Sequence, residues 1–188
     1  EEEDSFTLKG IVEELFARCG AKAEYLRSDE PYLHPGRQAK VMLPGCSTPA
    51  GVFGEVHPSA AARFDISGRA YLAEINPAPL YEVMEKQRIT YQPLPKFPAS
   101  TRDLAVIADR ELPIAEMEKA IRAADSGIVE KVELFDVYQG SQIPADKKSV
   151  AYSIVLRAAD RTLTDEECDE AMKKILTSLE KIHVFLRQ

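Results

Sequence analysis

The sequence predicts an α+β fold in two halves. Three observations predict it. Helical and alternating apolar periodicities occur in both halves, so neither an all-helical nor an all-strand chain fits. A proline seam, Tyr91-Gln92-Pro93-Leu94-Pro95-Lys96-Phe97-Pro98, disfavours helix and interrupts any sheet ladder, which sets residues 1–92 apart from residues 93–188. The second half runs in the order β-α-β-β-α-β. With 188 residues, 45% hydrophobic and 29% charged, the chain has material for a real core and too little polarity for disorder.

The first half opens with about three turns of helix. Leu8, Ile11, Val12, Leu15, Phe16 and Cys19 recur at helical spacing, and Gly20 is placed for a C-terminal stop. Extended runs are expected at 23–27, 39–43, 51–56 and 69–75. Short helices are expected at 58–64 and 77–86, each with proline near its start. Short strands joined by tight turns suggest an antiparallel sheet, with fewer strands than a self-sufficient sheet would want. The chain starts without Met and runs almost at once into a helix, so it is expected to be a piece of something longer, although processing would look the same.

In the second half, 102–108 reads as a strand with Leu104, Val106 and Ala108 on one side. A helix stripe follows, Ile114, Met117, Ile121 and Ala124, closed by Ser126-Gly127. A long strand runs from about Ile128 to Tyr138, and a polar loop occupies 139–147. Residues 148–157 alternate cleanly, with Val150, Tyr152, Ile154 and Leu156 on one face. Thr164-Asp165-Glu166-Glu167 is a capping box, and its helix carries Cys168, Ala171, Met172, Ile175, Leu176 and Leu179 inward. A last strand is expected at 183–187. This order is the split βαβ of a ferredoxin-like sandwich.

Two helices in such a fold cover one sheet face and leave the other free. Alternation leaves Ser149, Ala151, Ser153 and Val155 as a small-residue floor on the free side. Asp136 and Tyr138 share one face of their strand, and His183, Phe185 and Arg187 share one face of theirs. If Asp136, Tyr138, His183 and Arg187 join the floor, it carries an aromatic plate, a carboxylate acceptor and a cation. That set suits an unpaired nucleobase: the tyrosine stacks, the carboxylate accepts from base N–H groups, and the arginine pairs a phosphate. Spacing alone does not choose between this and a Tyr138 that merely ends a strand beside an Asp136 that caps a turn. An RNA-recognition motif shares the strand order, but Lys148-Ser149-Val150-Ala151-Tyr152 lacks its glycine and stacking aromatics.

Longer strings carry a specific resemblance. Phe97-Pro98 with Arg102-Asp103-Leu104, then Leu134-Phe135-Asp136-Val137-Tyr138-Gln139-Gly140, Ile143-Pro144, Lys147-Lys148-Ser149 and Arg161-Thr162-Leu163-Thr164-Asp165-Glu166-Glu167 resemble the ferredoxin-fold anticodon-binding domain of the bacterial phenylalanyl-tRNA synthetase family. Leu8-Lys9-Gly10-Ile11-Val12-Glu13, Leu33-His34-Pro35-Gly36-Arg37 and Gly54-Glu55-Val56-His57-Pro58 are similar to the segment before that domain in the β subunit. The resemblance implies that residues 1–92 are the end of a class II synthetase-like core that has lost its chemistry. It implies that residues 93–188 bind the anticodon stem-loop of phenylalanine tRNA. The whole enzyme is implied to be an α2β2 heterotetramer that uses ATP and magnesium, with the chemistry in the α subunit. Carried over by position, Tyr138 would stack on the first anticodon base, Asp136 would hydrogen-bond it, and Ser149 and Arg187 would add contacts. The last strand departs from the family, which usually has small residues where this chain has His183 and Phe185.

Charge qualifies that picture. The net charge is −7, and residues 95–188 hold 14 Lys and Arg against 17 Asp and Glu, a net of −3. Binding held by bulk charge is not indicated, so RNA binding by this chain alone is expected to be weak and salt-sensitive, with most affinity supplied by other domains.

Other chemistry finds no foothold. His34 and His57 lie 23 residues apart, each before proline and without a Cys or acidic partner at ligand spacing, so turn or core roles are expected. Cys19 and Cys168 fall on helix stripes, and Cys46 has no base nearby. Asp165-Glu166-Glu167 suits a helix N-terminus. No Walker loop, GxSxG elbow, HExxH or Gly-rich dinucleotide turn is present. The chain alone is therefore expected to have no catalytic residue, metal or cofactor and to catalyse nothing. Three scattered cysteines suit a reducing cytoplasm. The acidic start, Glu1-Glu2-Glu3-Asp4, is the reverse of a secretion signal, and no run reaches the roughly 18–20 apolar residues of a membrane span. The alternative from another class is a non-catalytic interaction or small-molecule-sensing module, in which the first half matters more than the free sheet face. A cut core would also expose an apolar patch or sheet edge and promote self-association.

Overall fold

The computed structural model describes residues 3–86, 91, 93–125, 127–140 and 142–187. Glu1 and Glu2 of the acidic start, Gln92 of the seam and Ser126 of the helix stop lie outside the described residues. The chain divides into two compact units, Glu1–Tyr91 and Gln92–Gln188.

The first unit begins with α1 (Ser5–Arg18), capped by the Asp4 carboxylate, which accepts the Phe6 and Thr7 N–H groups at 2.8 Å each. Gly20 follows the helix in the left-handed region, at φ 68°. Strands β1 (Glu24–Arg27), β2 (Leu33–Met42), β3 (Gly51–Val56) and β4 (Tyr71–Ile75) form an antiparallel meander, with α2 (Pro58–Arg63) between the last two and α3 (Pro77–Lys86) after them. Val12 and Phe16 of α1 pack with Val41, Phe53 and Leu80. The predicted apolar stripe is broader than the buried one, because Ile11 and Leu15 are exposed. Strand β2 also begins earlier than its alternation suggests. Leu33 pairs with Val56 and Gln38 with Gly54, so the register shifts across His34-Pro35-Gly36-Arg37. Pro35 has no N–H for the ladder and is accommodated in that irregularity. Gly54 lets the strands close up there, since a Cβ on it would lie 2.5 Å from the Arg37 carbonyl oxygen.

The second unit contains β5 (Ser100–Asp109), α4 (Ile114–Ala124), β6 (Val129–Tyr138), β7 (Lys147–Leu156), α5 (Asp165–Glu180) and β8 (Phe185–Leu186). Its antiparallel sheet has the order β6-β7-β5-β8, the ferredoxin-like arrangement. Leu104, Val106 and Ala108 of β5 and Val150, Tyr152, Ile154 and Leu156 of β7 meet Met117 and Ile121 of α4 and Ile175 and Leu179 of α5. The capping box forms: Thr164 Oγ1 accepts the Glu167 N–H, and the Glu167 carboxylate accepts the Thr164 N–H. The last strand is shorter than expected. His183 sits at φ 60° in the turn that leaves α5, so it is not a strand residue and does not share the sheet face of Phe185 and Arg187.

Candidate nucleic-acid interface

On β6, strict alternation would put Val132, Leu134, Asp136 and Tyr138 on one face. The structure separates them with a register shift between Leu134 and Asp136. Val132 and Leu134 pair with Ile154 and Tyr152, on the helix-covered side, whereas Asp136 and Tyr138 pair with Ala151 and Ser149, on the other. The extra residue is Phe135, which is exposed. This bulge lets one strand supply the core and then turn its last polar and aromatic side chains to the free face.

Two rows of side chains cross that face near the end of β6. The first runs Asp136, Ala151, Ala105, and continues to Arg187, whose backbone N–H donates to the Ala105 carbonyl at 2.9 Å. The second runs Tyr138, Ser149, Ile107, Phe185. Arg187 joins the rows: its Nη1 donates to Ser149 Oγ at 3.3 Å, and its Cζ lies over the Tyr138 ring, 5.9 Å from the centroid. Tyr138, Ser149 and Arg187 are thus one contact group, with Asp136 exposed in the adjacent row. Ser149 is only 3% exposed, with the Arg187 guanidinium against its hydroxyl.

The tip of the Tyr138 ring lies over Gly140. A Cβ on Gly140 would stand 2.2 Å from Tyr138 Oη and 2.4 Å from Cζ, so any other residue there would displace the ring. Beyond this row, Lys147 pairs with Asp109 and holds its carboxyl below the usual range, with a smaller contribution from His183. Lys148 faces the other way, 6% exposed, with its ammonium donating to the Leu112 carbonyl. Of Lys147-Lys148-Ser149, the middle residue is therefore not on the free face.

This arrangement can stack a flat ring, accept hydrogen bonds at a carboxylate and donate from a guanidinium. Sequence reasoning missed the β6 bulge, the seat that Gly140 gives the ring, and the place of Ile107 and Phe185 in the Tyr138 row. Alternation counted on from Val106 could have found Ile107.

Elsewhere, His34 Nδ1 accepts the Gly36 N–H at 3.1 Å, and His57 caps α2 by accepting the Ser59 N–H at 3.2 Å. The cysteines are free thiols, Cys168 buried and Cys19 and Cys46 half-buried. Among the described residues no three His, Cys, Asp or Glu side chains are grouped to hold a metal, and no helix is long and apolar enough to cross a membrane.

Comparison with known proteins gives matches over most of the chain. Residues 95–187 match the family model of the ferredoxin-fold anticodon binding domain. Residues 1–77 match that of the phenylalanyl tRNA synthetase beta chain CLM domain. The phenylalanine–tRNA ligase beta subunit of Symbiobacterium thermophilum is 46% identical over 98% of this chain and 20% of its own length. Those of Clostridium tetani and Listeria monocytogenes (serotype 4b) are 43% and 36% identical over 95% and 98% of the chain, and 22% and 23% of their own lengths. The chain spans about a fifth of the length of these relatives.

Proposed function

The chain belongs to the phenylalanine–tRNA ligase β-subunit family, and on that premise we propose that its second unit grips the anticodon stem-loop of phenylalanine tRNA. In this reading Tyr138 stacks on the first anticodon base and Asp136 accepts a hydrogen bond from it. Arg187 moves from the ring to a phosphate and frees Ser149 for a further contact. The observation that carries the reading is the convergence of Tyr138, Ser149 and Arg187 on the sheet face that the helices leave free. Aromatic stacking tolerates any base, so discrimination falls to Asp136, whose carboxylate can only accept and so favours a base that offers N–H donors.

The first unit is the scaffold in this proposal, joining the remainder of the β subunit and the α subunit in an α2β2 assembly in the cytoplasm. Aminoacylation with ATP and magnesium belongs to that whole ligase, with its chemistry in the α subunit. We assign no residue of this chain a place in the chemical step.

Titration of a fluorescent anticodon stem-loop at low salt tests the proposal. Tyr138→Ala should weaken binding by about 1–3 kcal/mol. Asp136→Asn should narrow the preference for the correct first base. Binding indifferent to both changes and to the base itself would reduce the sheet to a backbone clamp. No binding by the wild-type chain at millimolar concentration would leave the scaffold role alone.

A further inference from the structure

The row that begins at Tyr138 ends on a second aromatic. Phe185 pairs with Ile107, Ile107 with Ser149, and Ser149 with Tyr138, so all four side chains occupy the same free face. Phe185 is 55% exposed, whereas Val184 beside it is 1% exposed and belongs to the core. Val184, just before β8, anchors the segment, and Phe185 presents its ring to solvent on the free face. Strands lie about 4.8 Å apart, so three steps separate the backbones of Tyr138 and Phe185 by roughly 14 Å. Between them lie Ser149, with Arg187 against its hydroxyl, and Ile107. Arg187 stands in the next row, just past the end of the same edge strand and two residues from Phe185, where its guanidinium can meet a phosphate between two bound bases.

We propose that Phe185 is a second stacking plate, which takes an unpaired base of the same RNA loop. The inference rests on the reading of Tyr138 given above and extends it from one base to two. A span of roughly 14 Å is several times the rise of about 3.4 Å between stacked neighbours. The two plates therefore hold bases that have been unstacked from one another, and the strand crosses the sheet from β6 to its β8 edge. Such splaying is how single-stranded loops present base faces to aromatic side chains. Ile107 lies beneath the crossing and supplies apolar contact to the intervening nucleotide.

The test uses the 188-residue chain and the fluorescent anticodon stem-loop, intact or with one loop base removed at a time. Wild type, Tyr138→Ala, Phe185→Ala and Phe185→Tyr are compared, with melting curves for each. Phe185→Ala should weaken the intact loop by about fivefold or more, and Phe185→Tyr, which keeps the plate, should stay within about twofold. The Phe185→Ala loss should vanish for one abasic position, different from the position that erases the Tyr138→Ala loss. If Tyr138→Ala weakens binding and Phe185→Ala does not, the second plate is overturned and the Tyr138 reading stands. A Phe185→Ala loss of equal size for every abasic loop overturns it too, as an effect on the strand rather than on a base. If neither alanine variant weakens binding, or the wild type does not bind, the Tyr138 reading falls and the second plate with it.

Discussion

Each unit carries a four-stranded antiparallel sheet with helices packed on one face, but the two sheets are wired differently. In the first, neighbours in the sheet are neighbours in the chain, β1 to β4. In the second, β5 lies between β7 and β8, and the chain crosses over through α4 and α5. The crossovers place two long helices on one face, and among the described residues fifteen buried side chains form that core against eight in the first unit. The first unit leaves Phe6, Ile11 and Leu15 of α1 exposed. A sheet whose helices are supplied by its own crossovers completes one face and leaves the other for a ligand. The meander of the first unit completes less of itself.

Core truncation tests that comparison with the largest effect. Ile175 and Phe16 are 0% and 1% exposed, one in each core. Ile175→Ala and Phe16→Ala should each cost about 2–5 kcal/mol. Amide exchange should accelerate on β5–β8 for the first change and on β1–β4 for the second. If Phe16→Ala quickened exchange on both sheets alike, the units would unfold as one body and the contrast between them would collapse.

A smaller effect compares the two capped helices. Thr164→Ala removes the acceptor of the Glu167 N–H and should destabilise α5 by about 1 kcal/mol. In α1 the cap is a carboxylate, held below its usual pKa chiefly by the Thr7 N–H. A depressed carboxyl contributes stability that is present above its unfolded pKa and is lost as the pH falls through its folded value. Asp4→Ala should therefore fray α1 at neutral pH, and its difference from wild type should fade in acid. The Thr164 hydroxyl has no such titration. Helical circular dichroism against pH for the two variants separates them, and equal acid dependence would mean that the Asp4 cap is not formed by the ionised side chain.

Much of this architecture was legible because alternation and capping are local. The strand of Val150, Tyr152, Ile154 and Leu156 and the Thr164 box are read from a few consecutive residues. What escaped depends on partners distant in sequence. The early start of β2 needs Val56 opposite Leu33, and the β6 bulge needs Tyr152 and Ala151 opposite Leu134 and Asp136. His183 alternates correctly with Phe185 and Arg187, yet the chain must turn there to leave α5 and takes a left-handed conformation. The common face of Asp136, Tyr138 and Ser149 was readable near the turn. The contact of Arg187 with both Tyr138 and Ser149 was not, since it reaches across the sheet from the residue after β8 to β7 and β6.

The smallest effect concerns a charge that the second unit buries, at Lys148. The first unit buries Glu55 at 5% exposure and gives it Arg37 as an ion partner, 2.8 Å away. Lys148, at 6%, donates to the Leu112 carbonyl, and burial lowers its pKa despite the attraction of Glu111. A lysine whose folded pKa lies below its unfolded value binds fewer protons in the folded state. Between those two values stability rises with pH, because the unfolded chain holds the proton more tightly. Lys148→Met removes that titration and fills similar space, a change that is commonly neutral or stabilising for a buried charge. Wild type should therefore gain on Lys148→Met as the pH climbs from 7 towards the unfolded value near 10.5. Urea midpoints for both proteins at several pH values measure the gap. A gap that stayed constant would mean that the ammonium reaches water in solution, and the second core would then be looser around Lys148 than its packing shows.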